Sequence, residues 1–155
     1  MTSAMRLTIA AIALLWASLV AGQSTLGALL DADARKLSPG EFNEELVQRT
    51  IVGLSPTGGR IEMMYASNGT IHGVATNPAY TSTMPPEQGV GGEWRIDDKE
   101  RICTSLRIGL GGGGPAQILI LPTRCQYLFK LGDRYFFADS DSDRLAKVQG
   151  RTIKQ

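Results

Sequence analysis

The sequence predicts a mainly β domain with one short N-terminal helix, built as an antiparallel up-and-down (lipocalin-like) barrel or a sandwich of about 7–8 strands. Three observations carry this. Short apolar–polar alternations recur from Arg60 to Ile153, separated by turn signals such as Ser67-Asn68-Gly69, Asp97–Glu100 and Gly132-Asp133. No strand–helix–strand alternation is visible, which argues against a parallel sheet. Only two cysteines, Cys103 and Cys125, follow an export-like leader, as suits a domain held by one disulfide.

Residues 1–22 read as a signal peptide. Arg6 precedes an apolar run from Leu7 to Val20, and Val20-Ala21-Gly22 offers the small residues that signal peptidase prefers, with cleavage expected after Gly22. Position 23 is not cysteine, so the lipid-attachment signal is missing. The apolar run is shorter than the roughly 20 residues that cross a bilayer core, so no stable membrane span is expected after cleavage. An uncleaved anchor is the alternative. Residues 23–37 have no clear pattern and read as a mobile leader, which leaves residues 38–155 as a single β-barrel-like domain.

The helix is the best-specified element. Ser38 is a good N-cap, Pro39 fills the first helical position, and Glu41 completes a capping box. Leu37 and Phe42 are placed for a hydrophobic staple across that cap. Phe42 and Leu46 then share one face, with Glu44 and Glu45 turned outward, over an expected span of Pro39–Gln48.

Arg60–Tyr65 and Thr70–Ala75 flank Asn68-Gly69, a hairpin signal because Asn-Gly accepts positive φ at both turn centres. Asn68-Gly69-Thr70 also matches the N-glycosylation pattern, but the turn explains the same residues with fewer assumptions. Thr76–Val90, with Pro78, Pro85, Pro86 and Gly89, reads as a long loop. Strands resume at Gly92–Ile96 and again at Arg101–Arg107, where Ile102, Thr104 and Leu106 alternate with Cys103, Ser105 and Arg107. Beyond a glycine run come Gln117–Leu121 and Cys125–Leu131. Gly132-Asp133 turns into Arg134–Phe137, and a last strand is expected within Leu145–Ile153.

A Cys103–Cys125 bridge would stabilise the fold by about 3 kcal/mol in the chain-entropy model. A redox-active pair would call for the short Cys-x-x-Cys spacing, which is absent. The chain carries 16 basic and 15 acidic residues, and loss of Arg6 with the signal leaves 15 of each. A neutral domain lacks the basic footprint of a nucleic-acid binder. No basic amphipathic helix points to a membrane surface.

No catalytic constellation emerges. His72 is the only histidine and lies on a strand face with Thr70 and Val74, without the partners a metal site or triad needs. Asp139, Asp141 and Asp143 alternate like the first half of a calcium loop. Arg144 then stands where glycine is required, and Gly150 where the bidentate glutamate belongs. The run Gly111–Gly114 lacks the lysine and helix of a phosphate-binding loop, and reads as a flexible connection or the lip of a binding site. The expectation is therefore a non-enzyme with no metal or cofactor. Trp94, Arg107, Gly112 and Tyr127 are the candidate binding residues, beside a structural disulfide of Cys103 and Cys125.

The chain resembles a group of small exported proteobacterial proteins of unknown function. The resemblance rests on Glu41-Phe42 and Leu46 in the helix, Asn68-Gly69-Thr70, Gly92-Glu93-Trp94-Arg95-Ile96, Ile102-Cys103, Cys125-Gln126-Tyr127 and Gly132–Phe136, in that order. It implies an exported, disulfide-linked β-domain with no assigned activity. Two departures stand out: Ser105-Leu106 replaces an aromatic residue usual after Cys103, and the glycine run is unusual. The expected function is a periplasmic or secreted binding module for a small ligand or an envelope protein, including the inhibition of a hydrolase. A structural or stress-related envelope protein, associating through the two-faced apolar strand Ile118–Leu121, is the second reading. A hydrolase is the third.

Overall fold

The computed structural model describes residues 24–55, 58–76, 87–110 and 117–155. The signal-like segment, the proline-bearing stretch after Thr76 and the run Gly111–Gly114 lie outside these. Along the chain come α1 (Leu26–Asp31), β1 (Arg35–Lys36), α2 (Pro39–Glu45), β2 (Thr50–Leu54), β3 (Arg60–Tyr65) and β4 (Thr70–Thr76). They are followed by β5 (Glu87–Ile96), β6 (Ile102–Leu110), β7 (Gln117–Ile120), β8 (Arg124–Leu131), β9 (Arg134–Ala138) and β10 (Val148–Ile153).

Eight of these strands form a closed antiparallel barrel. The ring runs β2–β3–β4–β5–β6–β8–β9–β10 in chain order, and β10 returns to pair with β2. Of the two architectures the sequence allowed, the up-and-down barrel is the one formed. β1 and β7 lie outside the ring, β1 on the second half of β8 and β7 on the second half of β6. The ring joins β6 to β8 only where Ile102, Cys103 and Thr104 face Gln126, Cys125 and Arg124. Cys103 and Cys125 are directly opposite and bonded as a disulfide.

Strand alternation sends Ile51, Ile61, Met63, Tyr65, Ile71, Val90, Ile102, Ile108, Leu128, Tyr135 and Phe137 inward, where they form one continuous core. Helix α2 plugs one end of it. Phe42 and Leu46 are fully buried, and the Phe42 ring meets Tyr65 and Trp94 edge-on at 5.3 and 5.2 Å between centroids. The capping box is present as expected. The Ser38 hydroxyl accepts from the Glu41 amide at 3.3 Å, and the Glu41 carboxylate accepts from the Ser38 amide at 2.8 Å. Leu37, the other half of the staple, is buried in the same core.

The helix stops sooner than Gln48. Gln48 takes a φ of 66°, and its amide donates to the Tyr65 carbonyl, which steers the chain into β2. Glu45 does not turn to solvent either. Its carboxylate accepts from Lys130 and, at 2.7 Å, from the Tyr135 hydroxyl, tying α2 to β8 and β9.

Residues 24–37 are not a mobile leader. Thr25 caps α1, and Leu26 and Leu29 are fully buried against Phe129, Phe136 and Ala138 on the outer face of β8 and β9. Among the described residues there are thus two helices, one inside the barrel mouth and one clasped to its wall. Burying each leucine is worth about 1.5–3 kcal/mol, enough to hold a segment with no other local preference.

Three further departures concern strands. Thr50–Leu54 is a full barrel strand where none was expected. β5 begins at Glu87, so part of the expected loop is paired with β4. Its Gly92 sits so close to β6 that a Cβ would lie 2.1 Å from the Ser105 carbonyl oxygen. Finally, the β3–β4 turn spans Ser67–Gly69 with only Gly69 at positive φ, 84°, while the Asn68 side chain accepts from the Thr70 amide and hydroxyl. This is the three-residue hairpin that ends in a left-handed residue.

Glu41 supplies a pH test of the plug. The Ser38 amide, then the Arg35 guanidinium, hold its carboxyl down at about 2, below the ordinary value of 4.5. A depressed acid stabilises the fold above its unfolded value and loses that contribution as pH falls toward its folded one. Thermal melts of the parent and Glu41→Ala should therefore differ near neutrality and converge as pH drops from about 4.5 toward about 2.

Candidate functional site

With the interior filled by side chains, attention falls on the wall. β10 and β2 pair only at Ile153–Ile51, Thr152–Val52 and Arg151–Gly53. Beyond that point they part, as β10 continues along β9 to Val148 and β2 continues along β3 to Leu54. A cleft of about 580 Å³ occupies this split.

Three guanidinium groups line the cleft, from Arg60, Arg134 and Arg151, and no carboxylate does. Arg60 is occupied by Glu62, to which its Nε and Nη2 donate at 3.1 and 2.8 Å. Arg134 is half-buried and lies 5.1 Å from the Phe136 ring, with no carboxylate partner among the described residues. Arg151 is the unusual one. It stands opposite Tyr135 and Gly53, both on the inward register, and only 8% of it is exposed. Its one hydrogen bond among the described residues runs from Nη1 to the neighbouring Gly150 carbonyl at 2.9 Å.

Burial pushes the Arg151 guanidinium below its ordinary pKa, with the Tyr65 hydroxyl opposing and Arg124 adding to the shift. Burial likewise pushes the Tyr65 phenol up to about 12, so it is a neutral hydroxyl at any physiological pH. Gly53 makes the arrangement possible. A Cβ there would lie 2.5 Å from both Cδ and Nη1 of Arg151, so the arginine occupies the space a side chain would fill. Val52, Leu54 and Val148 supply apolar walls, and Leu54 is 67% exposed. The lining therefore offers cations, apolar surface and the polar side chains of Ser55, Gln149 and Thr152, and among the described residues no imidazole, thiol or carboxylate.

The residues nominated from sequence do not converge. Trp94 faces inward against Phe42 and Tyr65, and its indole N–H donates to the Ala66 carbonyl at 2.8 Å. Tyr127 is on the outer side of β8, in the patch covered by α1, with the Lys36 ammonium 4.3 Å above its ring. Arg107 is exposed on the outer face of β6, opposite Gly91 and Ile120. Gly112 lies outside the described residues. Trp94 and Tyr127 are thus on opposite sides of one wall.

The acidic residues weighed as a calcium loop are engaged separately. Asp139 accepts from Arg124 and Gln126, and Asp141 accepts from Lys36 at 2.8 Å. His72 is an exposed residue of β4, hydrogen-bonded to Thr70 at 3.0 Å. Asp97 approaches both cysteine sulfurs, but these are joined to each other, and its oxygens take the Arg101 and Lys99 amides.

Sequence reasoning missed Arg151, the residue at the centre of the cleft. The available signal was parity: Arg151 shares a strand face with Ile153, so a cation was being sent to the inward side. The chain matches no family model, and no similar curated protein or solved structure was found.

Gln88 is a second inward polar residue. It faces Ala75, is buried, and its Nε2 has no partner among the described residues. Removing such a donor relieves a desolvation cost, so Gln88→Met should raise stability by about 1 kcal/mol in urea denaturation.

Proposed function

We propose that this protein is a non-enzymatic binding module of the bacterial envelope, exported with removal of residues 1–22, that takes a small ligand or a short segment of a partner protein in the β2–β10 cleft. The observation that carries this is the cleft's lining, a buried cation beside apolar walls. The filled interior supports a site in the wall rather than in the lumen.

Screening a chemically mixed fragment library by amide chemical-shift perturbation tests the reading. Binders should move resonances of residues 52–55 and 148–152 together. Binders that cluster elsewhere, or a library without a single hit at the cleft, would reject it. The mass of the mature product tests export, since an intact Met1 with both thiols free to alkylation would place the protein in the wrong compartment.

A second reading, a structural or stress-related envelope protein, is favoured by β7. Ile118 and Ile120 are 60% and 72% exposed, and Leu119 on the other face is also exposed. Such a two-faced apolar strand on the open edge of a sheet favours association. Ile120→Lys should then abolish any self-association seen by sedimentation while leaving cleft binding intact.

A further inference from the structure

We infer that the β2–β10 cleft is built for an amphipathic anion, with a carboxylate or phosphate head on the Arg151 guanidinium and an apolar body along Val52, Leu54 and Val148. The inference rests on the reading of that cleft as the binding site and names the class of ligand it takes.

The head group follows from Arg151. A guanidinium carries more N–H donors than one carbonyl can satisfy, and Arg151 donates only to Gly150. A cation taken out of water is tolerated when an anion or a full set of acceptors compensates it. None of the carboxylates among the described residues forms an ion pair with Arg151, and none lines the cleft. Arg134, half-buried beside Gly150 and without a carboxylate partner among the described residues, adds a second positive charge to the cleft lining from the outer face of β9. The planar fork of arginine matches carboxylate and phosphate oxygens alike.

The body follows from the walls. Leu54 stands two-thirds exposed at the end of β2, next to the split, and Val52 and Val148 continue the apolar surface toward the arginines. A bare inorganic anion would leave this surface wet. A neutral amphiphile would leave Arg151 uncompensated.

Isothermal titration with octanoate, octyl phosphate, octanol and inorganic phosphate, on the parent, Arg151→Met and Arg134→Ala, tests the assignment. Both or either of the octyl anions should bind the parent, and Arg151→Met should weaken that binding by about tenfold or more. Arg151→Met should melt at or above the parent temperature, because it replaces a buried unpaired cation with an apolar chain of similar size. That melt separates loss of the site from loss of the fold. Octanoate against octyl phosphate then tells which head is preferred.

If octanol binds at the cleft as tightly as the anions and ignores Arg151→Met, the anion assignment is overturned while the cleft remains a binding site. Inorganic phosphate binding as tightly as octyl phosphate would overturn the apolar half of the inference. If no octyl anion binds, the ligand class is wrong, and the fragment screen alone decides whether the cleft binds anything. If octyl anions bind but shift only residues away from the cleft, both readings fail.

Discussion

Replacing both Cys103 and Cys125 with alanine is expected to destabilise the barrel by about 3 kcal/mol and to loosen it first at one place, the β6–β8 seam. The magnitude follows from the sequence separation of 22, which sets the loop the bridge closes in the unfolded chain. The location follows from topology. Between β6 and β8 the chain leaves the ring to form β7, and the two ring strands then meet only over Ile102–Thr104 and Arg124–Gln126. Every other neighbouring pair in the ring follows directly along the chain or, like β10 and β2, joins its two ends. The disulfide sits in the middle of a non-sequential contact only three residue pairs long and adds a covalent link to the hydrogen bonds there.

Urea denaturation gives the size of the loss, and native-state hydrogen exchange gives its place. Amides of residues 102–104 and 124–126 should exchange faster than those of β3 and β4 in the double variant. A uniform loss of protection would mean that the bridge acts only on the unfolded chain. Protection unchanged at the seam, with a melt close to that of the parent, would mean the ring closes without it.

What could be read in the sequence is what local chemistry decides. The capping box around Ser38 is satisfied within four residues, and the alternation from Arg124 to Leu131 sorts itself into two faces without help. The Asn-Gly turn was placed correctly, although the chain uses a three-residue loop and leaves Asn68 at negative φ. What could not be read depends on partners far along the chain. Helix α1 has three leucines and little else, and it forms because Phe129 and Phe136 present an outward apolar face that wants cover. β2 was hidden because Gly53 interrupts its apolar run, and that glycine is needed because Arg151 and the Gly150 carbonyl, at the far end of the chain, lie over it.

The candidate site was illegible for the same reason. Its two walls come from the first and last strands of the ring, so no short window of sequence contains it. Trp94 and Tyr127 serve the fold instead, as core and as cover, which is what aromatic residues in a small barrel do first. A lone cation on the inward face of the last strand was the stronger sign. It shares the inward register with Gln149 and Ile153, and a charge sent toward a core marks a site more reliably than aromatic type does.

Phe42→Ala is expected to cost about 3–5 kcal/mol, more than any cap or surface pair on the same helix. Helix α2 has seven residues, too few to persist on its own in water. Ser38→Ala, which removes only the cap, should cost about 1 kcal/mol. The difference is the ring. Phe42 is fully buried and meets Tyr65 and Trp94 edge-on, so its removal leaves a cavity beside two large rings, from β3 and β5, that already meet each other at 6.1 Å between centroids. Those rings are held where they are and cannot swing into the vacated space, because the Trp94 indole is fixed to the Ala66 carbonyl and Tyr65 is pinned in β3 between β2 and β4. Trp94 reports the outcome directly, since the other tryptophan, Trp16, belongs to the signal-like segment. In Phe42→Ala its emission should shift to the red before the urea transition begins, as water reaches the vacated end of the core. A transition that moves by no more than that of Ser38→Ala, with Trp94 emission unchanged, would show that α2 lies over the barrel mouth without holding it shut.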